Sequence, residues 1–299
     1  MSFRDTILAF IIILIWGFNF VVIAWGLESL PPFLLGACRF VLIAVFGSFF
    51  VRHPGIPFRW LFLYGISLGF SQFAFLFAAM SFGMPAGLAS LVLQAQMLFT
   101  IFFASFLLKE TIKPVQFIAI IIAGCGLSLI GSTNSSGAMT AIGFGLTLAG
   151  ASCWAIGNIV NKVISQKGYK ADVGLVVWSA WIPPLPFIIL SYIFEGPEVI
   201  VRSFHMSNWL TIGSLFYLAF IASILGYGLW GYLFSRYPAS KVAPLTLGVP
   251  VVGLTSAALF LDETISLLQS YGILLVLLGL GVIIWGDKLF KKFHHDTNG

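Results

Sequence analysis

The sequence predicts an all-α integral membrane protein of ten transmembrane helices, arranged as two five-helix repeats of opposite orientation. Three observations predict it. Apolar runs of about 20 residues, long enough to cross a bilayer, recur along the chain. The basic residues fall in alternate gaps between those runs. The second half also echoes the first at a fixed offset.

Composition sets the class. Of 299 residues, 60% are hydrophobic and 8% charged, against roughly 25% charged in a soluble domain. Such a chain has too few polar groups to cover itself in water, whereas in lipid its outer surface must be apolar. The net charge of +5 does not indicate nucleic-acid binding, which needs a clustered basic face on a soluble module. Cys38, Cys125 and Cys153 lie within apolar runs and form no CxxC pair, so they read as small packing residues. His53, His205, His294 and His295 lie in loops or the tail, with no metal-ligand spacing. Neither a metal nor a cofactor is expected.

The predicted spans are residues 6–27, 31–51, 60–81, 85–107, 114–131, 141–162, 173–194, 208–233, 242–261 and 267–286. The first, behind Arg4, is too long for a signal-peptide core, and Gly26-Leu27-Glu28 does not resemble a cleavage site, so it reads as a retained span. Pro31-Pro32 opens the second span, Pro85 the fourth and Pro114 the fifth, where a missing N–H costs nothing. The stretch from Ser132 to Gly137 links the halves, 1–131 and 141–286. Ser266 with Gln269 spells a capping box at the start of the tenth. A short basic tail, 287–299, follows.

Charge orients the spans. With the N-terminus inside, the inner segments hold thirteen of the fifteen Lys and Arg residues. These are Arg4; Arg52 and Arg59; Lys109 and Lys113; Lys162, Lys167 and Lys170; Arg236 and Lys241; and Lys288, Lys291 and Lys292. The outer loops hold Arg202, and Arg39 lies within a span. The positive-inside rule then makes both termini cytoplasmic.

A shift of 153 residues aligns Tyr64 with Tyr217, Pro85-Ala86 with Pro238-Ala239, Glu110-Thr111-Ile112 with Glu263-Thr264-Ile265, and Gln116 with Gln269. Trp16 and Asn19 are echoed by Trp154 and Asn158. Because five is odd, the two copies insert in opposite directions. Inverted repeats are the signature of secondary transporters, whose copies exchange shapes around a central site. An old duplication without a transport role is the plainer alternative.

Several stretches resemble the EamA type of the drug/metabolite transporter superfamily over essentially the whole chain. These are Trp16–Val22, Gln72–Phe77, Phe82–Gln96, Gly226–Gly231, Val242–Leu245 and Val249–Leu254. The likeness is strongest to bacterial inner-membrane exporters of cysteine and O-acetylserine. It implies the drug/metabolite transporter fold, a cavity lined by spans 1–4 and 6–9, peripheral spans 5 and 10, a plasma-membrane location and proton antiport. The superfamily's substrates vary, so other amino acids or small neutral or cationic metabolites are the alternative cargo.

Polar groups in hydrocarbon need a partner or a purpose. Arg39 offers paired hydrogen bonds to a substrate carboxylate, or else bonds carbonyls as a packing device. Asn19, Gln72, Gln94, Gln96, Asn158 and Asn161 both donate and accept, which suits a zwitterion; the alternative is interhelical hydrogen bonding at about 1 kcal/mol apiece. Gln94 and Gln96 are about 200° apart on an α-helix, so only one is expected to face the cavity squarely. Trp16, Trp154, Trp178, Tyr227 and Trp230 are candidate cavity walls or ammonium contacts, and lipid-facing packing is their commoner fate. Gly65 and Gly69 form a close-packing face. Pro183, Pro184, Pro186 and Pro250 should kink spans 7 and 9, as hinges or as static bends. Glu110, Asp262 and Glu263 are the carboxylates nearest the membrane, and they read as caps or solvated groups.

No Ser/His/Asp grouping, HExxH or paired acids suggests an enzyme, and no filter-like loop or charged ring suggests a channel. No Walker A motif supports ATP-driven pumping. The expected partners are a small-molecule substrate, an amino acid or derivative, and the lipid bilayer; nucleic acid is excluded and a homodimer is left open.

Overall fold

Leu, Ile, Phe and Ala dominate the runs, and in lipid such runs must satisfy their backbone within themselves, which a helix does. The computed structural model describes residues 1–133, 139–237 and 242–296, and among them all regular structure is helical. Most of the linker between the halves, Pro238-Ala239 and Lys241 lie outside the described residues, as do the side chains of the tail's Lys288, Lys291, Lys292, His294 and His295.

The helices are α1 (Phe3–Leu27), α2 (Pro32–Phe50), α3 (Phe58–Ser81), α4 (Ala86–Leu108), α5 (Pro114–Gly131), α6 (Ala141–Gln166), α7 (Val173–Ser179), α8 (Pro184–Glu195), α9 (Pro197–Met206), α10 (Trp209–Leu233), α11 (Leu245–Phe260) and α12 (Leu267–Asp296). Eight are long and apolar enough to cross a membrane, and α7 with α8, meeting at 42°, makes a ninth if the pair is one broken span. α11 is apolar but shorter. α12 runs past residue 286, where the apolar run ends, so its last turns carry the basic tail.

Their starts follow from the sequence. Ser2, Thr140, Asp172, Asn208 and Ser266 each accept from a backbone N–H in the first turn of α1, α6, α7, α10 and α12. The predicted capping box closes as expected, with Ser266 N donating to Gln269 Oε1 at 2.9 Å.

Both prolines and glycines act through packing. The break after α7 falls at Pro183-Pro184, as the missing N–H groups require. The Gly65/Gly69 face of α3 accepts that break: a Cβ on Gly65 would lie 2.7 Å from Ser179 O, and one on Gly69 2.7 Å from Pro183 Cγ. Pro250 does not interrupt a helix. It sits in the first turn of the α-helical part of α11, Gly248–Phe260, where its lost N–H is harmless; the irregularity is the 3₁₀ turn Ala243–Leu247 before it. Cys125 lies exposed on α5 rather than packed inside.

Equivalent positions of the two halves share backbone details. π-helical turns occupy Gly65–Ser71 in α3 and Tyr217–Leu225 in α10. Short 3₁₀ turns interrupt α4 at Leu93–Ala95 and open α11. Among the described residues, Lys109 and Asp262 are the two non-glycine residues with positive φ, 56° and 53°. Each precedes a glutamate whose N–H donates across the corner, Glu110 to Ala104 O and Glu263 to Ala257 O, both at 3.3 Å.

α5 and α12 pack together at the periphery through Gly126, Gly272, Gly279 and Ala123, close enough that a Cβ on Gly126 would stand 2.7 Å from Gly272 O. The other helices enclose the interior, except α9, which lies outside with Ser203 its one buried residue. The loops around residues 51–57, 109–113 and 167–172 gather at one end, called here the basic end, where Lys162 pairs with Glu110 and Lys167 lies over the Trp60 ring.

Candidate functional site

Two adjoining hollows lie between the halves. The outer one, about 480 Å³, is lined by Trp16 of α1, Tyr64 of α3, Gln96 and Thr100 of α4, Trp154, Asn158 and Asn161 of α6, and Tyr227 and Trp230 of α10. Ala171 and Asp172, in the α6–α7 loop, form its rim, so it opens toward the basic end. The inner one, about 100 Å³, is lined by Asn19, Arg39, Gln72, Phe73, Ser90 and Gln94. Trp16, Gln96, Trp154, Tyr227 and Thr246 belong to both.

Trp16 is fixed by its Nε1, which donates to Ala222 O at 3.0 Å, and its ring meets those of Tyr227 and Trp230 at 5.2 Å each. Asn158 Nδ2 donates to Gln96 Oε1 at 2.7 Å and to Thr100 Oγ1 at 3.1 Å, which ties α6 to α4 across the outer hollow. Gln94 Nε2 reaches Thr246 O at 3.2 Å. Arg39 is 3% exposed. Its Nη2 donates to Ser223 Oγ at 3.1 Å, and its guanidinium carbon stands 4.1 Å from the Phe73 ring centre.

The far end is shut. Gly253 of α11 abuts Ser90 of α4, and Gly17 of α1 abuts Val252, so three helices cross without side-chain spacers. Two carboxylates then staple the halves. Glu195 accepts from the N–H groups of Phe33 (2.6 Å) and Leu34 (3.2 Å) at the start of α2. Glu263 accepts from Ala86 (2.6 Å) and Gly87 (2.9 Å) at the start of α4. Each exploits a proline-opened helix, whose first free donors and dipole favour an anion. Glu263 lies in a loop, where burial raises its carboxyl above the ordinary range while the two N–H groups partly offset that.

Of the twelve residues singled out from sequence, eleven line these hollows: Trp16, Asn19, Arg39, Gln72, Gln94, Gln96, Trp154, Asn158, Asn161, Tyr227 and Trp230. Trp178 does not. Its Nε1 donates to Val51 O and its ring meets His53, so it pins the α2–α3 loop at the basic end. Gln94 and Gln96 both reach the inner hollow, against the α-helical expectation. The 3₁₀ turn at Leu93–Ala95 rotates about 120° per residue, which brings the two side chains closer around the axis. Glu263 does cap a helix, but the helix is α4, more than 170 residues away in sequence. Sequence reasoning does not find Thr246 and Asp172, which line the hollows, or Ser223, which bonds Arg39, since nothing local marks a rim aspartate as facing a cavity or a serine in a π-helical turn as meeting a distant arginine.

The EamA-like transporter family model matches residues 5–132 and 141–285. The chain belongs to this family. A protein of Escherichia coli K12 named a probable amino-acid metabolite efflux pump is 47% identical over 97% of this chain and 98% of its own length. One of the same name from Salmonella typhimurium LT2 is 48% identical over 97% of each. A solved crystal structure superposes with a TM-score of 0.64 at 18% identity, covering 96% of this chain and 98% of that one, a likeness of fold alone. The two family matches fall on the two halves, so the hollows lie between a pair of family units in a multi-pass membrane protein.

Proposed function

We propose that the chain is a secondary transporter that exports small amino-acid metabolites, cysteine and O-acetylserine foremost, across the bacterial plasma membrane by alternating access. The observation that carries this is the pair of hollows built from both halves, open at the basic end and stapled shut at the other. The two near-full-length relatives, whose name specifies amino-acid metabolites, support the cargo class.

In this reading the fold is ten transmembrane helices in two inverted five-helix units, residues 1–131 and 141–286. α7 with α8 forms the seventh span and α11 the ninth. The shared π-turns, 3₁₀ turns and left-handed corners at equivalent positions support the duplication. The positive-inside rule makes the basic end cytoplasmic, so the open end is the loading side of an exporter. The amides, the aromatic walls and Arg39 hold the cargo. Outward opening requires the two carboxylate staples to let go and the basic end to close.

The test is counterflow in proteoliposomes with labelled cysteine, O-acetylserine and several unrelated amino acids, with and without a pH gradient. Exchange of cysteine or O-acetylserine well above the unrelated amino acids is expected. Equal exchange of all, or of none, removes the cargo assignment. Reporter fusions at the two termini are expected to mark one and the same side of the membrane; opposite sides exclude the inverted arrangement.

A further inference from the structure

We propose that the inner hollow is a head-group site for a free α-amino acid, with Arg39 taking the carboxylate and Asn19 the ammonium group; this rests on the transport reading above and narrows it.

The case begins with unmatched hydrogen-bonding groups. A guanidinium carries five N–H donors and does not deprotonate. Arg39 spends one side of it on Ser223 Oγ and a face on the Phe73 ring, while Nε and Nη1 are buried and have no hydrogen-bond partner. Among the described residues, no carboxylate is within ion-pair distance of Arg39 to serve as its counter-ion. A buried charge left in that condition is costly, and natural proteins keep one where an anion arrives. Asn19, on the facing helix α1 and 8% exposed, is the complement: its Oδ1 is a buried acceptor with no donor. Both line the same hollow of about 100 Å³. A ligand matched to both walls supplies an anionic acceptor to one and a donor to the other. An α-amino acid presents both on a single carbon.

Volume completes the assignment. A hollow of about 100 Å³ holds roughly three waters' worth of liquid volume, which suits a carboxylate and an ammonium group but not a bulky side chain as well. The larger hollow continues from it past Trp16, Gln96 and Tyr227. The side chain of the cargo projects there, among aromatic rings and amides with room to spare. The site is thus strict about the head group and permissive about the rest: esters and decarboxylated amines are excluded, while side chains of different length pass.

The test uses the purified full-length chain in proteoliposomes. Labelled cysteine counterflow is competed by unlabelled cysteine, its methyl ester, cysteamine (no carboxylate) and 3-mercaptopropionate (no amine). Tryptophan fluorescence, to which Trp16, Trp154 and Trp230 in the walls contribute, measures binding separately. For the wild type, each of the three analogues is expected to compete at least tenfold more weakly than cysteine. Arg39→Gln is expected to lose counterflow, and its preference for acid over ester in binding should collapse to within twofold. Arg39→Lys, which keeps the charge, should retain part of that preference. Asn19→Leu should weaken cysteine and its ester alike and erase the preference over 3-mercaptopropionate. Equal competition by cysteine and its methyl ester in the wild type overturns the proposal, and that measurement needs no variant to fold. Wild-type binding that prefers the acid without any exchange supports the head-group site and overturns the transport reading instead.

Discussion

Gly253→Val is expected to abolish transport and to lower the thermal midpoint of the purified protein by several degrees. A Cβ at Gly253 lies 2.3 Å from Ser90 Oγ and 2.6 Å from Ser90 Cβ, closer than real atoms approach. The neighbouring crossing is as tight, with a Cβ on Gly17 2.4 Å from Val252 Cβ. α1, α4 and α11 meet there just beyond the inner hollow, so neither backbone has slack to give. Overpacking of a filled interior costs about 1–3 kcal/mol, and here the strain falls on the seal of the far end. The cause is checkable by a double-mutant cycle. Ser90→Gly removes the atoms that a Gly253 side chain meets, so the double variant should recover a substantial part of the lost midpoint. Purely additive losses would show that the contact is not the origin.

Glu263→Ala is expected to open the far end. Its carboxylate is the acceptor for Ala86 and Gly87 at the start of α4. Removing a helix cap costs about 0.5–2 kcal/mol, and hydrogen bonds to an ionised acceptor lie at the strong end of the range. If that loss falls on the closed state, about 1.4 kcal/mol corresponds to a tenfold shift toward the opened one. The readout is a single cysteine at Leu254, which lines a small hollow beside Glu263, in a background without Cys38, Cys125 and Cys153. A membrane-impermeant maleimide added from the far side should label it several-fold faster in Glu263→Ala, with Glu263→Gln intermediate because it keeps one acceptor oxygen. Unchanged labelling would assign the seal to the glycine crossing and the Glu195 staple.

Much of this was legible in the sequence because hydrocarbon is an unforgiving solvent. An apolar run cannot be a loop in lipid, so the long helices announced themselves, and Asn19, Gln72 and Asn158 stood out because a polar side chain there must be matched. The capping box at Ser266 and the glycine face of α3 were equally local, and both formed. What escaped depends on tertiary partners or on the pitch of the backbone. Trp178 is indistinguishable in sequence from Trp16, yet one pins a loop and the other walls a cavity. The reach of Gln94 and Gln96 turned on a 3₁₀ turn of three residues. Ser223 owes its bond with Arg39 to a π-helical turn, which shifts side-chain azimuth in a way no 3.6-residue wheel describes.

The stapling of the far end has a genetic corollary. Both carboxylates come from the second half, and both are received by main-chain N–H groups of the first. Backbone donors cannot be removed by changing a side chain, short of introducing proline. Substitutions that loosen this seal by deleting a hydrogen-bonding group must therefore cluster in the second half, at Glu195 and Glu263 and at Ser191, whose hydroxyl donates to Glu195 at 2.6 Å, and a selection for variants leaky from the outside should return a lopsided map.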